Sequence, residues 1–137
     1  MDGEQRNALI REVIFRLSDL PEVRGFAADQ ARASGLSETE VTDLLVAVNE
    51  VTTNAVTHGA RDKARLRIWR EDDQVVVEVH DDGRWKLEGE PGATPPAPDA
   101  TRGMGLWVAR RLAGSVDIRT GEQGSTVTMR FGGRGAR

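Results

Sequence analysis

Glu50, Asn54 and His58 fall four residues apart in the segment LLVAVNEVTTNAVTHG, Leu44–Gly59. In an α-helix a four-residue step turns the side chain by roughly 40°, so the three form one slanted polar stripe. Leu44, Val48, Val51 and Ala55 form an apolar stripe beside it. A carboxylate, an amide and an imidazole at the edge of a buried helix face have chemical uses. Glu50 can accept a proton from a hydroxyl or a water. Asn54 offers a neutral oxygen, a hard ligand suited to Mg²⁺. A plain solvated face would show Lys and Glu pairs instead, and the bland alternative is a polar cluster that fixes helix packing. His58 is read as a helix-end residue, without a catalytic role.

Three further segments follow in order. Asp81-Asp82-Gly83 ends a run of β-branched residues. Glycine at the third position lets the backbone approach a ligand closely. Gly103-Met104-Gly105-Leu106 opens an apolar helical pattern, preceded by Arg102. Free N–H groups at a helix N-terminus favour phosphate, and Arg102 can neutralise phosphate charge. Gly124-Ser125-Thr126 adds two hydroxyls on a late strand. Taken singly, each has an ordinary reading as a turn or a junction.

The elements that must position these residues can be read from pattern and punctuation. Ala8–Leu17 carries mixed signals and leans to strand. Asp19 and Glu22, with Pro21 in the first turn, predict a helix N-terminus. That helix runs to about Ser34 and stops at Gly35. Ser37 and Glu40 repeat the capping-box pattern and start the Glu50 helix, which ends at His58-Gly59. Lys63–Arg70 alternates, with Ala64, Leu66 and Ile68 on one face, as a half-buried strand. After the polar turn Glu71–Gln74, Val75–His80 predicts a second strand paired to it as a hairpin. Gly83–Arg102 is rich in proline, glycine and alanine and resists helix and sheet. Its length marks it as functional or disordered. A helix over Leu106–Ala113 and a hairpin of Ser115–Thr120 with Ser125–Phe131 complete the chain. The tail GGRGAR is expected to fray. The fold class expected is α+β, a two-layer sandwich with helices on one face of a mixed, mostly antiparallel sheet.

The chain has 137 residues, a length for one domain with a real core. It is 38% hydrophobic and 30% charged, ordinary for a globular protein, and its net charge of −3 gives no electrostatic case for nucleic acid or an anionic membrane. No apolar run is long enough to span a membrane, and MDGEQRNALIRE does not read as a signal peptide. The chain contains no cysteine and two histidines, which excludes disulfides and makes a histidine-rich metal site unexpected. A cytoplasmic protein is the expectation.

The motif order Glu50-xxx-Asn54-xxx-His58-Gly59, Asp81-x-Gly83, Gly103-x-Gly105 and Gly124-Ser125-Thr126 resembles the nucleotide site of the GHKL (Bergerat-fold) superfamily of ATPases and kinases. The resemblance covers roughly Val41 to Phe131. It implies ATP and Mg²⁺ as cofactors, with Asn54 holding the metal against the phosphates and Glu50 as general base. Asp81 would accept a bond from the adenine amino group. It further implies nucleotide-binding positions at Gly83, Arg102, Gly103, Met104, Gly105, Leu106, Ser125 and Thr126, and an ATP lid over about 84–102. A single histidine-kinase-like ATPase domain over 1–137 is the corresponding expectation.

The phrases LPEVRGFAADQARASGLSETEVTDLLVAVNEVTTNAVTHG and RGMGLWVARRLAGSVDI are similar to the small anti-sigma-factor kinases of the SpoIIAB/RsbW type, especially their actinobacterial branch. That resemblance implies a serine/threonine protein kinase acting on a STAS-domain anti-anti-sigma factor. It also implies sequestration of an alternative sigma factor by partner switching, commonly as a homodimer. Two positions depart from the pattern. Trp85 stands where the second motif usually has its last glycine, and Ser125 replaces the commoner Thr. Trp85 is the sequence argument for a rival, a non-catalytic regulator that binds a sigma factor or STAS protein with a degenerate nucleotide site. A detached sensor-kinase domain phosphorylating histidine is a third reading, disfavoured because no dimerisation helix pair is evident. Arg24 and Arg32 are weak candidates for a partner surface.

Overall fold

The computed structural model describes residues 10–58, 62–83 and 104–133, with backbone alone at His58, Met104 and Gly105. In chain order the elements are β1 (Arg11–Arg16), α1 (Leu20–Ala33), α2 (Glu38–His58), β2 (Lys63–Glu71), β3 (Gln74–Asp81), α3 (Met104–Leu112), β4 (Ser115–Gly121) and β5 (Gly124–Gly132). A short 3₁₀ turn, Leu17–Asp19, joins β1 to α1. The strands form one sheet in the order β1-β2-β3-β5-β4, and every neighbouring pair is antiparallel. The sheet is therefore not mixed. Hairpins account for β2–β3 and β4–β5, and the remaining two pairings return the chain across the helices.

Period-two alternation decides which side chains meet the helices. Ala64, Leu66 and Ile68 of β2, Val75, Val77 and Val79 of β3, and Val127, Met129 and Phe131 of β5 are all buried. They pack against Val23, Ala27 and Ala31 of α1 and Val41, Leu44, Val48, Val51 and Ala55 of α2 in a single cluster. Leu106 and Ala109 of α3 complete it. The opposite face of the sheet carries a charge ladder. Glu12, Arg67 and Glu78 are cross-strand neighbours on β1, β2 and β3. Arg67 Nε donates to Glu12 Oε1 at 2.6 Å, which raises the Arg67 guanidinium above its ordinary value.

Local sequence fixes the helix ends. The Ser37 hydroxyl accepts the Glu40 N–H at 3.1 Å while Glu40 Oε1 accepts the Ser37 N–H at 2.8 Å, the reciprocal box expected from S-E-T-E. At the end of α1, Gly35 takes φ +95°. Its N–H bonds the Arg32 carbonyl at 3.0 Å and the Leu36 N–H bonds the Ala31 carbonyl at 3.2 Å, a Schellman closure.

Three boundaries differ from expectation. Asp19 does not cap α1 with its side chain. Its carboxylate instead accepts the Arg16 N–H at 2.9 Å and closes the 3₁₀ turn. Pro21 sits in the first turn of α1, where its missing N–H has no partner to lose. The helix α3 starts at Met104, two residues before the apolar pattern does. Gly132, expected in the frayed tail, is the last residue of β5, because it is the register partner of Gln74.

Candidate functional site

β3 places the candidate base-reading carboxylate. Along its helix-facing side the row Val75, Val77, Val79 ends in Asp81, which is only 2% exposed. The same parity that buries three valines therefore buries a carboxylate one step beyond the apolar core. A buried carboxylate needs hydrogen-bond donors. Asp81 Oδ1 accepts the Gly83 N–H at 2.6 Å, the two-residue reach of an Asx turn.

β5 fixes the other half of that turn. Ser125, 1% exposed, is the register partner of Asp81. Its Oγ donates to the Gly83 carbonyl at 2.7 Å. Both backbone polar groups of Gly83 are thus tied, one to Asp81 and one to Ser125. Across the hairpin, Thr120 Oγ1 lies 2.9 Å from Ser125 Oγ. Gly124 closes the assembly from behind. At its φ of +108°, an added Cβ would overlap the Asp81 carbonyl oxygen and lie 3.0 Å from Asp82 Cα. Only glycine allows β5 to approach the Asp81 turn this closely.

The helix α2 carries Glu50 and Asn54, both partly buried, on the edge of its packed face. Between them Thr52 is fully buried, and its hydroxyl returns to the Val48 carbonyl at 2.6 Å. It therefore adds no free donor to the stripe. His58 is the last residue of α2. Met104 and Gly105 occupy the first turn of α3, where backbone N–H groups lack intrahelical acceptors. Leu106 is buried and belongs to the core cluster. Arg102, Gly103, Trp85 and the segment 84–102 expected as a lid lie outside the described residues.

The structure brings Asp81, Gly83 and Ser125 together and separates Thr126 from them. Successive strand residues point to opposite faces. Thr126 accordingly lies on the charged face, where its Oγ1 is 2.8 Å from His80 Nδ1. His80 Nε2 is 3.7 Å from Asp82 Oδ1. Ser125 and Thr126 were both expected as hydroxyl donors. The Gly83 carbonyl can only accept, so the one proton of Ser125 is committed to it. The two arginines suggested for a partner surface are engaged within the chain. Arg24 Nη1 donates to Asn49 Oδ1 at 2.9 Å. Arg32 Nε lies 3.1 Å from Glu38 Oε2, and this contact raises the Arg32 guanidinium above its ordinary value.

Sequence reasoning missed Thr120 and the closeness of Gly124. A signal existed for Thr120. A two-residue turn at Glu122-Gln123 places Thr120 opposite Ser125 by counting back from the hairpin.

The model of the histidine kinase-like ATPase domain family matches residues 14–131. The chain belongs to that family. No curated protein matches it in a direct search. Among solved structures, the RsbU and RsbW domains of Rv1364c from Mycobacterium tuberculosis share 19% identity with a TM-score of 0.63. That match covers 88% of this chain and 32% of the other. The histidine kinase domain of the blue-light activated histidine kinase EL346 from Erythrobacter litoralis shares 22% identity with a TM-score of 0.56. It covers 82% of this chain and 60% of that one. The chain thus spans about a third and three fifths of these structures, and the likeness is one of fold. Among the described residues, no helix is long and apolar enough to cross a membrane.

Proposed function

We propose that this chain binds ATP with Mg²⁺ and transfers the γ-phosphoryl group to a serine or threonine of a STAS-domain anti-anti-sigma factor. In the same circuit it sequesters an alternative sigma factor as a homodimer in the cytoplasm. The observation that carries the nucleotide part is the Asp81 turn. A nearly inaccessible carboxylate ends a valine row, and the following Gly83 is held through both its N–H and its C=O. Such a turn offers a rigid acceptor for the amino group that adenine carries at C6, where guanine has an acceptor oxygen. The anti-sigma part is supported by the phrases in α1, α2 and α3 that resemble the SpoIIAB/RsbW type, and by the fold likeness to an RsbW domain.

The residue types in these segments suit the cofactors. Asn54 on α2 would hold the cation through its amide oxygen, and the first turn of α3, with Gly103, Gly105 and Arg102, would receive the phosphates. The bound cation supplies charge neutralisation on the phosphate oxygens. Glu50, one turn before Asn54, accepts the proton of the acceptor hydroxyl as its oxygen bonds to phosphorus. The bond from the γ-phosphorus to the bridging oxygen breaks, and ADP leaves. Positioning and charge are most of what such a transfer requires.

The test begins with calorimetric titration of ATP and ADP, with and without Mg²⁺, for the wild type and Asn54→Ala. Micromolar binding that weakens without Mg²⁺ or without Asn54 is expected. Mass spectrometry of a purified STAS partner then reads phosphate transfer to a hydroxyl. Glu50→Gln is expected to retain ATP binding and to lose transfer by about a hundredfold or more. Transfer at the wild-type rate by Glu50→Gln removes that residue's role. ATP binding without any transfer favours the non-catalytic regulator, for which Trp85 is the observation.

A further inference from the structure

We infer that Thr120 is a positioning residue for the nucleotide, acting through Ser125 on the Asp81–Gly83 turn. The inference rests on the nucleotide reading of Asp81 given above and extends it to the edge strand β4.

The geometry gives the relay a direction. Asp81, Ser125 and Thr120 occupy one register row across β3, β5 and β4. A hydroxyl has one proton to give. Ser125 gives its proton to the Gly83 carbonyl, which can only accept. The 2.9 Å contact between Thr120 Oγ1 and Ser125 Oγ is therefore donated by Thr120. This donation polarises the Ser125 hydroxyl and holds its rotamer, and each strengthens the bond to Gly83. Gly83 in turn donates its N–H to Asp81 Oδ1. The order is Thr120 to Ser125 to the Gly83 carbonyl, and from the Gly83 N–H to the carboxylate.

The arrangement places a site-shaping group on a residue that is itself exposed. Ser125 is enclosed, so a second rotamer would abandon the Gly83 carbonyl inside a buried turn. Thr120 is what selects the productive rotamer from outside. The consequence falls on base recognition. When the turn loosens, the carboxylate loses its fixed direction, and a ligand that depends on that direction loses affinity. A nucleotide without an amino group facing Asp81 loses little.

Thr120→Val preserves the shape of the side chain and removes the hydroxyl. Titration of the full chain with Mg-ATP and Mg-GTP, alongside Thr120→Ser and Ser125→Ala, reads the effect. ATP affinity is expected to fall about fivefold in Thr120→Val, the scale of one net hydrogen bond. GTP affinity should change by less than about twofold, so the ATP-to-GTP preference narrows. Thr120→Ser should restore the wild-type preference. Adding Thr120→Val to Ser125→Ala should cost nothing further, because the relay is already cut. Hydrogen exchange of the nucleotide-free protein should show faster exchange at the Gly83 amide in Thr120→Val, with the unfolding midpoint lowered by no more than a few degrees.

An unchanged ATP affinity in Thr120→Val overturns the inference, as does an equal loss for ATP and GTP. Failure of Thr120→Ser to rescue overturns it too. A wild-type protein that binds neither nucleotide overturns the nucleotide reading itself and this inference with it. A wild type that binds ATP beside an indifferent Thr120→Val removes the inference alone.

Discussion

Two glycines three residues apart in one hairpin should respond to alanine in opposite ways. Gly124 has φ +108°, and a Cβ there would overlap the Asp81 carbonyl oxygen, with His80 Cε1 at 3.1 Å. Gly121, at the other end of the same turn, has no atom within 4 Å of such a Cβ and no left-handed φ. For Gly124→Ala, the backbone conformation alone costs about 1–2 kcal/mol. The overlap is with main chain, which cannot rotate away as a side chain would. β5 must therefore move off the end of β3, and each ladder bond lost there costs about 1 kcal/mol. Together these predict a loss of about 2–4 kcal/mol. For a domain of this length that lowers the unfolding midpoint by about 10 °C. For Gly121→Ala the unfolded chain loses freedom and the folded chain meets nothing. A change between zero and about 1 kcal/mol of stabilisation is expected. Thermal and urea unfolding of the two variants, followed by circular dichroism, make the comparison. Equal midpoints for the two would refute the claim that β5 is pressed against the Asp81 turn.

Leu44→Ala opens a cavity where α2 meets the sheet, since Leu44 is fully buried; a loss of about 2–5 kcal/mol in urea unfolding is expected. Ser37→Ala removes one half of the reciprocal cap of α2 and should cost about 1 kcal/mol by the same assay.

Much of the fold was legible because its signals are local and repeated. The alternation in KARLRIWRE and the V-rich run after the turn each specify a strand whose inner row meets helices. The pair Ser37 and Glu40 specifies the start of α2 without help from tertiary contacts. The failures occurred where two local solutions compete. Asp19 is a sound capping residue, and the Arg16 N–H at the end of β1 is an equally good partner for it. Which bond forms depends on how β1 turns into α1, and that is a tertiary matter. The start of α3 was misplaced because Met104 and Gly105 contribute no apolar periodicity, while their backbone already has helical form.

The site divides along the same line. Residue types and order pointed to Asp81, Gly83 and Ser125, and strand parity explains why these three meet. Counting from Val75 in steps of two reaches Asp81, and counting from Phe131 in steps of two reaches Ser125. The same count excludes Thr126, which falls on the face with Arg67 and Glu78. A motif read as Gly-Ser-Thr suggests two equivalent hydroxyls, whereas a pleated strand can present only one of them to the helices. Thr120 was missed for the converse reason. It lies outside every motif and reaches the site only because a two-residue turn folds β4 onto β5. Chemistry that depends on pairing register is thus recoverable from sequence once the turn is fixed. The test of that claim is whether a threonine on an exposed edge strand alters which nucleotide the buried carboxylate prefers.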